Sequence, residues 1–222
     1  VPRIPRRLES GTSDRLNAFS DAVVSIAITL LALELPVPEG HTAHEFWHSI
    51  GAGGDEYLAF VISFAVIARS WSQHHHVFSF AERSDSTLRS LNMLWLLTVI
   101  LNPFATKLLT TESGDTDTVH ALRWSFYAGL QVLATVTFLA MVQHMLSAGL
   151  QAADTPDDIG PRSRRRAAAT LFAFTLSIPL FFVTRYAWLL WLAVSLTGAQ
   201  IGRLKRSRQR AVDDATAETA SG

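Results

Sequence analysis

Apolar and polar positions along the chain sort into about six long apolar stretches, each near the roughly 20 residues that cross a bilayer as a helix. The first runs from about residue 16 to 35 and stops at Pro36 and Pro38, which cannot continue a helix. The second begins near 57 and runs into the 71–80 region. Its inner part is unusually polar, with Arg69, Ser70, Ser72, Gln73 and the consecutive His74, His75 and His76. The third covers roughly 88–109 and carries Asn92, Asn102 and Pro103; the fourth covers about 119–146. The fifth, 167–183, and the sixth, 186–201, are parted only by Thr184 and Arg185, so they form a tight helical hairpin. The pattern predicts an all-α integral membrane protein of six transmembrane helices. Residues 1–14 form an N-terminal tail, 15–203 the membrane domain, and 204–222 a second tail whose Ala/Thr/Asp/Glu mixture reads as disordered. Residues 151–166, with Pro156, Gly160 and Pro161, read as a linker.

Composition agrees with that pattern. Of the 222 residues, 49% are hydrophobic and 17% charged, whereas soluble domains carry about a quarter charged residues. Six spans use more than half the chain and leave no room for a separate soluble catalytic domain, which excludes a water-soluble enzyme. The absence of cysteine excludes disulfides, thiol nucleophiles, thiolate zinc sites and iron–sulfur clusters. No cofactor is implied.

Formal net charge is zero, with 19 basic and 19 acidic residues, yet the two signs are segregated. Arg3, Arg6, Arg7 and Arg15 precede the first span, and Arg83 and Arg89 lie between the second and third. Arg162, Arg164, Arg165 and Arg166 precede the fifth, while Arg203, Lys205, Arg206, Arg208 and Arg210 follow the sixth. The alternate loops hold Glu39, Glu45, Asp55 and Glu56, then Glu112, Asp115 and Asp117. Cytoplasmic loops collect Lys and Arg, so both termini are expected in the cytoplasm. The Arg runs could alternatively mark nucleic-acid or anionic-lipid binding, but as orientation signals they need no further role. The first stretch lacks a small-residue cleavage pattern and reads as a retained span. Arg- and Ala-rich, cysteine-free composition suits a bacterial inner (plasma) membrane.

Asp21 stands at the start of an otherwise apolar first span, where a carboxylate is costly in lipid. Either it caps or solvates the helix start, or it meets a partner. Arg15 is six positions earlier, about 240° around an ideal helix, so the two do not face each other. The polar inner end of the second span lies at the same depth and is the natural source of a partner.

Arg15-x-x-x-Phe19-Ser20-Asp21, heading an Ala/Ile/Thr/Leu-rich span, resembles the signature of the endolysosomal potassium channel family and its bacterial relatives. The resemblance continues through Ser63-Phe64, Trp71-x-x-His74-His75, Leu91-Asn92 and Asn102-Pro103-Phe104. It implies a homotetramer, embedded among membrane lipids, that passes potassium ions through a central pore lined by the first helix. In that family the narrowest part is a ring of large aliphatic side chains. The matching positions are Ile26, Leu30 and Leu33, which spacings of four and three keep within about 60° on one face. Thr29 shares that face and Ser25 borders it, offering hydroxyls to a partly dehydrated cation. By periodicity alone the three aliphatic residues are ordinary packing residues; the adjoining signature makes them pore candidates. The Thr-Val-Gly-Tyr-Gly loop of carbonyl-ring filters is absent. The resemblance also implies a cytoplasm-side network of Arg15, Ser20 and Asp21 with Trp71 and His74.

Three further features suggest other chemistry. His44-Glu45-Phe46-Trp47-His48 matches His-Glu-x-x-His, the zinc-hydrolase pattern, but sits in a short outer connection without a third ligand and reads as fortuitous. His74, His75 and His76 point about 100° apart on a helix and cannot chelate together; His75 and His76 are left to solvent or anionic lipid. Asn102-Pro103 interrupts the third span, as in the broken helices of transporters, though packing commonly relieves such a kink. The rival to a channel is thus a proton-coupled secondary transporter using Asp21 and these histidines.

Overall fold

The computed structural model describes residues 7–111 and 117–181, which form seven helices: α1 (Arg7–Leu33), α2 (Ala43–Ala52), α3 (Gly54–Phe78), α4 (Ser86–Ile100), α5 (Asn102–Thr110), α6 (Asp117–Ser147) and α7 (Ile159–Phe181). Among the described residues the chain forms no strand, only an isolated bridge between Ala81 and Gln151. Ser13–Leu33, Ser86–Thr110 and Thr118–Ser147 are long and apolar enough to cross a membrane. A fourth crossing arises if α2 and α3, bent by 55° at their junction, act together. The end of the expected fifth span, the sixth (186–201) and the C-terminal tail lie outside the described residues.

Sequence explains most of the helix limits. α1 has neither proline nor glycine between Ser13 and Leu33, and Pro36 follows its end. Its start at Arg7 falls inside the stretch expected as a tail. Thr42 caps α2 by accepting the Glu45 N–H. Gly53 breaks α2 from α3, and a Cβ there would come within 3.1 Å of Pro36 and 3.2 Å of the Tyr57 ring. Asp85 caps α4 by accepting the Leu88 N–H. Leu101 separates α4 from α5, with Pro103 in the first turn of α5, so the third span is one nearly continuous crossing with an internal break.

One expectation is corrected. Residues 151–166 are a linker only as far as Asp158, because α7 begins at Ile159 and absorbs Arg162–Arg166. Charge marks that run as lying near water, but arginine is a good helix former. Ile159, Ser163 and Ala167 are buried along one side of the helix, while Pro161 sits in its first turn, where no intrahelical N–H is needed.

Two packed clusters hold the helices together. The larger joins Val24, Ala27 and Leu31 of α1 to Ile67 and Phe78 of α3, Leu88, Trp95 and Val99 of α4, and Phe138, Met141 and Met145 of α6. The smaller joins Ile62 and Val66 of α3 to Ala105, Tyr127, Ala128 and Phe174. In lipid such contacts act through close packing and interhelical hydrogen bonds, because lipid tails are as apolar as leucine. At the Arg-rich end, the Ala152 N–H donates to Phe80 O (2.8 Å) and the Arg83 side chain to Gly149 O (2.7 Å), lacing the α3–α4 and α6–α7 loops.

Candidate functional site

α1 has an inward and an outward face. Leu16, Ser20, Val24, Ala27 and Leu31 recur at helical spacing and are each buried. Roughly 110° round the helix from that row, Ile26, Leu30 and Leu33 are 58%, 44% and 78% exposed, so none of them packs into the core. Beside them runs a row of small exposed residues, Ala18, Ala22, Ser25 and Thr29, at spacings of four, three and four. Ser25 Oγ donates to Asp21 O and Thr29 Oγ1 to Ile26 O, each over 2.8 Å. With their protons turned back onto the helix, both hydroxyls present lone pairs outward.

The inward face carries two polar branches near the Arg-rich end. In the first, Ser20 Oγ donates to Leu16 O (2.9 Å) and accepts from Asn92 Nδ2 (2.9 Å). Asn92 Oδ1 lies 2.8 Å from His74 Nε2. Since the Asn92 oxygen can only accept, His74 carries its proton on Nε2. The His74 ring is stacked between Phe78 and Trp95, with centroids 4.1 and 4.2 Å away. Its Nδ1 is buried without a hydrogen-bond partner among the described residues. Ser20, His74 and Asn92 are all fully buried. In the second branch, Trp71 Nε1 donates to Asp21 Oδ1 (2.8 Å), and His75 Nδ1 lies 3.5 Å from Asp21 Oδ2.

Of the residues expected in one network, Ser20 and His74 are therefore joined through Asn92, while Asp21 and Trp71 meet directly. Arg15 and Phe19 are exposed, and Arg15 makes no hydrogen bond to the described residues. His75 is exposed, as expected, and in addition meets Asp21 and lies beside Trp71, with ring centroids 5.5 Å apart. Consecutive histidines do point apart on the helix; their spacing did not reveal which of them meets α1.

A separate polar cluster went unread in the sequence. Ser63 Oγ lies 3.1 Å from Tyr127 Oη and accepts from Thr106 Oγ1 at 2.8 Å, joining α3, α6 and α5. Asn102 donates to Thr98 O and accepts from Gln131 Nε2 (2.7 Å), beside the break at Pro103. The kink is thus occupied by the protein's own side chains. Ser63, Asn102 and Pro103, quoted in the resemblance, were the signals; Thr106, Tyr127 and Gln131 gave none, because pairing between helices leaves no spacing within one helix.

Elsewhere, Glu45 accepts the His41 N–H at 2.8 Å and closes the N-terminus of α2, so its carboxylate has a capping partner. Glu34 pairs with Lys107 at 3.8 Å, which offsets its charge just beyond the C-terminal end of α1.

Comparison with known proteins follows the same residues. The family described as the endosomal/lysosomal potassium channel TMEM175 matches residues 15–103. A protein of Streptomyces collinus named as a potassium channel is 35% identical over 173 residues, covering 78% of this chain and 84% of that protein. The mouse protein named as the endosomal/lysosomal proton channel TMEM175 is 31% identical over 109 residues, 48% of this chain but 22% of its own length. The crystal structure of a lysosomal potassium-selective channel TMEM175 homolog from Chamaesiphon minutus superposes with a TM-score of 0.66. It shares 31% identity and covers 88% of this chain and 98% of that one. These relatives are named as ion channels rather than enzymes, and with the helical fold and the matched 15–103 segment they establish that this chain belongs to the TMEM175 family.

Proposed function

We propose that the chain is a passive potassium channel in which four copies bring α1 to a common axis and ring it with Ile26, Leu30 and Leu33. The observation that carries this reading is the outward turn of those three side chains, away from the protomer's own core. A helix meant only for lipid has no use for a row of small residues along the same side. Such a row lets helix backbones approach closely, and Ala18, Ala22, Ser25 and Thr29 supply it.

The aliphatic ring sets the barrier. Ile26 to Leu33 spans roughly 10 Å of helix axis, a short apolar passage from which water withdraws when the ring narrows, stopping the ion. Ser25 and Thr29 hydroxyl oxygens replace part of the ion's hydration. Neutral hydroxyls form a weak-field site, which favours the ion that loses water more readily, so potassium passes in preference to sodium. The Ser20–Asn92–His74 and Asp21–Trp71 branches hold α1 against α4 and α3 and set the radius of the ring. The protein sits in a plasma membrane with its Arg-rich end toward the cytoplasm.

The test is ion flux through purified protein in liposomes, wild type against Leu30→Ala, following potassium and protons because the mouse relative is named for protons. Trimming Leu30 is expected to raise potassium flux or loosen selectivity. Flux identical in the two proteins would move the constriction elsewhere.

A further inference from the structure

α3 turns one side, with Trp71 and His74, toward α1 and α4. On another side, Arg69, Ser70 and Gln73 line a cleft whose far walls include Gln131 and Thr135 of α6 and Thr170 of α7. Arg69 is half-buried, nine residues before the end of α3, or about 13 Å by helix rise. Among the described residues its guanidinium has neither an acidic partner nor a hydrogen bond, although the group carries five N–H donors in a planar fork. A second cleft shares the Gln73 and Phe138 walls and continues to the Arg-rich end, where His76, Arg162, Ser163 and Arg166 line it. The acid there, Asp158, is paired with Arg162. Arg166 is exposed on the same rim. Residues 182–212 contain no aspartate or glutamate, so the stretch that includes the expected sixth span brings no carboxylate to this place.

Arg69 and Arg166, on facing helices, thus line two adjoining clefts that share the Gln73 and Phe138 walls, and the carboxylate lining the second, Asp158, is already paired with Arg162. We propose that the α3–α7 cleft binds the phosphate of an anionic phospholipid headgroup, held between Arg69 and Arg166 with Gln73 as a further donor. Paired N–H donors of a guanidinium match the oxygens of a phosphate, and basic pockets between membrane helices at the cytoplasmic side suit such headgroups. A long arginine side chain can extend from within a span toward the headgroup level. The ligand lies on the side of α3 away from α1, and the site stands whether or not the chain conducts potassium.

Native mass spectrometry of the full chain in detergent, titrated with phosphatidylglycerol, tests this. The wild type is expected to retain bound phosphatidylglycerol and to bind phosphatidylcholine more weakly. Arg69→Gln and Arg166→Gln should each weaken phosphatidylglycerol binding about tenfold, the scale of one charge-assisted contact. Arg69→Lys should fall between, keeping the charge without the fork and controlling for misfolding. Arg165→Gln, exposed and outside both clefts, should bind as wild type. Displacement of the lipid by inorganic phosphate would support recognition of the phosphate itself. Unchanged binding in Arg69→Gln and Arg166→Gln, equal losses in Arg165→Gln, or binding of inorganic phosphate without phosphatidylglycerol would overturn the proposal.

Discussion

Asn92 of α4 donates its amide to Ser20 of α1 across 2.9 Å, in a place where neither residue is exposed. The same side chain accepts from His74 of α3, so one asparagine fastens three helices. Asn92→Ala would leave the Ser20 oxygen and the His74 Nε2–H without that partner, at a cost of about 2–4 kcal/mol. Thermal unfolding in detergent should show a lower melting temperature than for Ser20→Ala. The Ser20→Ala/Asn92→Ala double variant should lose less than the sum of the singles, because both changes break one bond.

Much of this arrangement was legible in the chain, for a physical reason. Asp21 in an apolar span called for either capping or a partner, the matched depth pointed to the polar end of the second span, and the family resemblance named Trp71, which does meet it. Burial periodicity in α1 follows directly from 3.6 residues per turn. What stayed hidden depends on how helices rotate against each other. Gln131, Tyr127 and Thr106 look unremarkable in sequence and acquire their roles only when α3, α5 and α6 meet. The α7 start was misread for a different reason: the charge of Arg162–Arg166 reports nearness to water, which a helix and a linker can share.

Asp85 lies just before the Ser86–Thr110 span. The Leu88 N–H, and after it His144, hold its carboxyl below the ordinary carboxylate range. A folded-state pKa below the unfolded value, about 3.9, contributes stability that is present above the unfolded value and lost as pH falls through the folded one. Melting temperature should therefore decline on acidification below about pH 4. Asp85→Asn, which can still cap α4, should flatten that decline in melts taken between pH 3 and 5.

Thr29 tests the hydroxyl part of the selectivity reading. Thr29→Val keeps the side-chain shape and removes the hydroxyl oxygen, whose proton is held on Ile26 O and whose lone pairs are left for an ion. The potassium-to-sodium permeability ratio should fall several-fold, with total conduction retained because the aliphatic ring is untouched. Reversal potentials under mixed-ion gradients measure it.

The chain contains no cysteine, so a single introduced thiol reports its own surroundings. Leu30→Cys protein in liposomes, treated with a water-soluble thiol reagent, addresses the central claim that α1 lines an aqueous path. Potassium flux through Leu30→Cys should drop on treatment, while Ala27→Cys, buried against the neighbouring helices, should be unaffected. Continued flux with an unmodified thiol at position 30 would mean that this face of α1 looks into lipid or protein, and the pore would have to be sought on another helix.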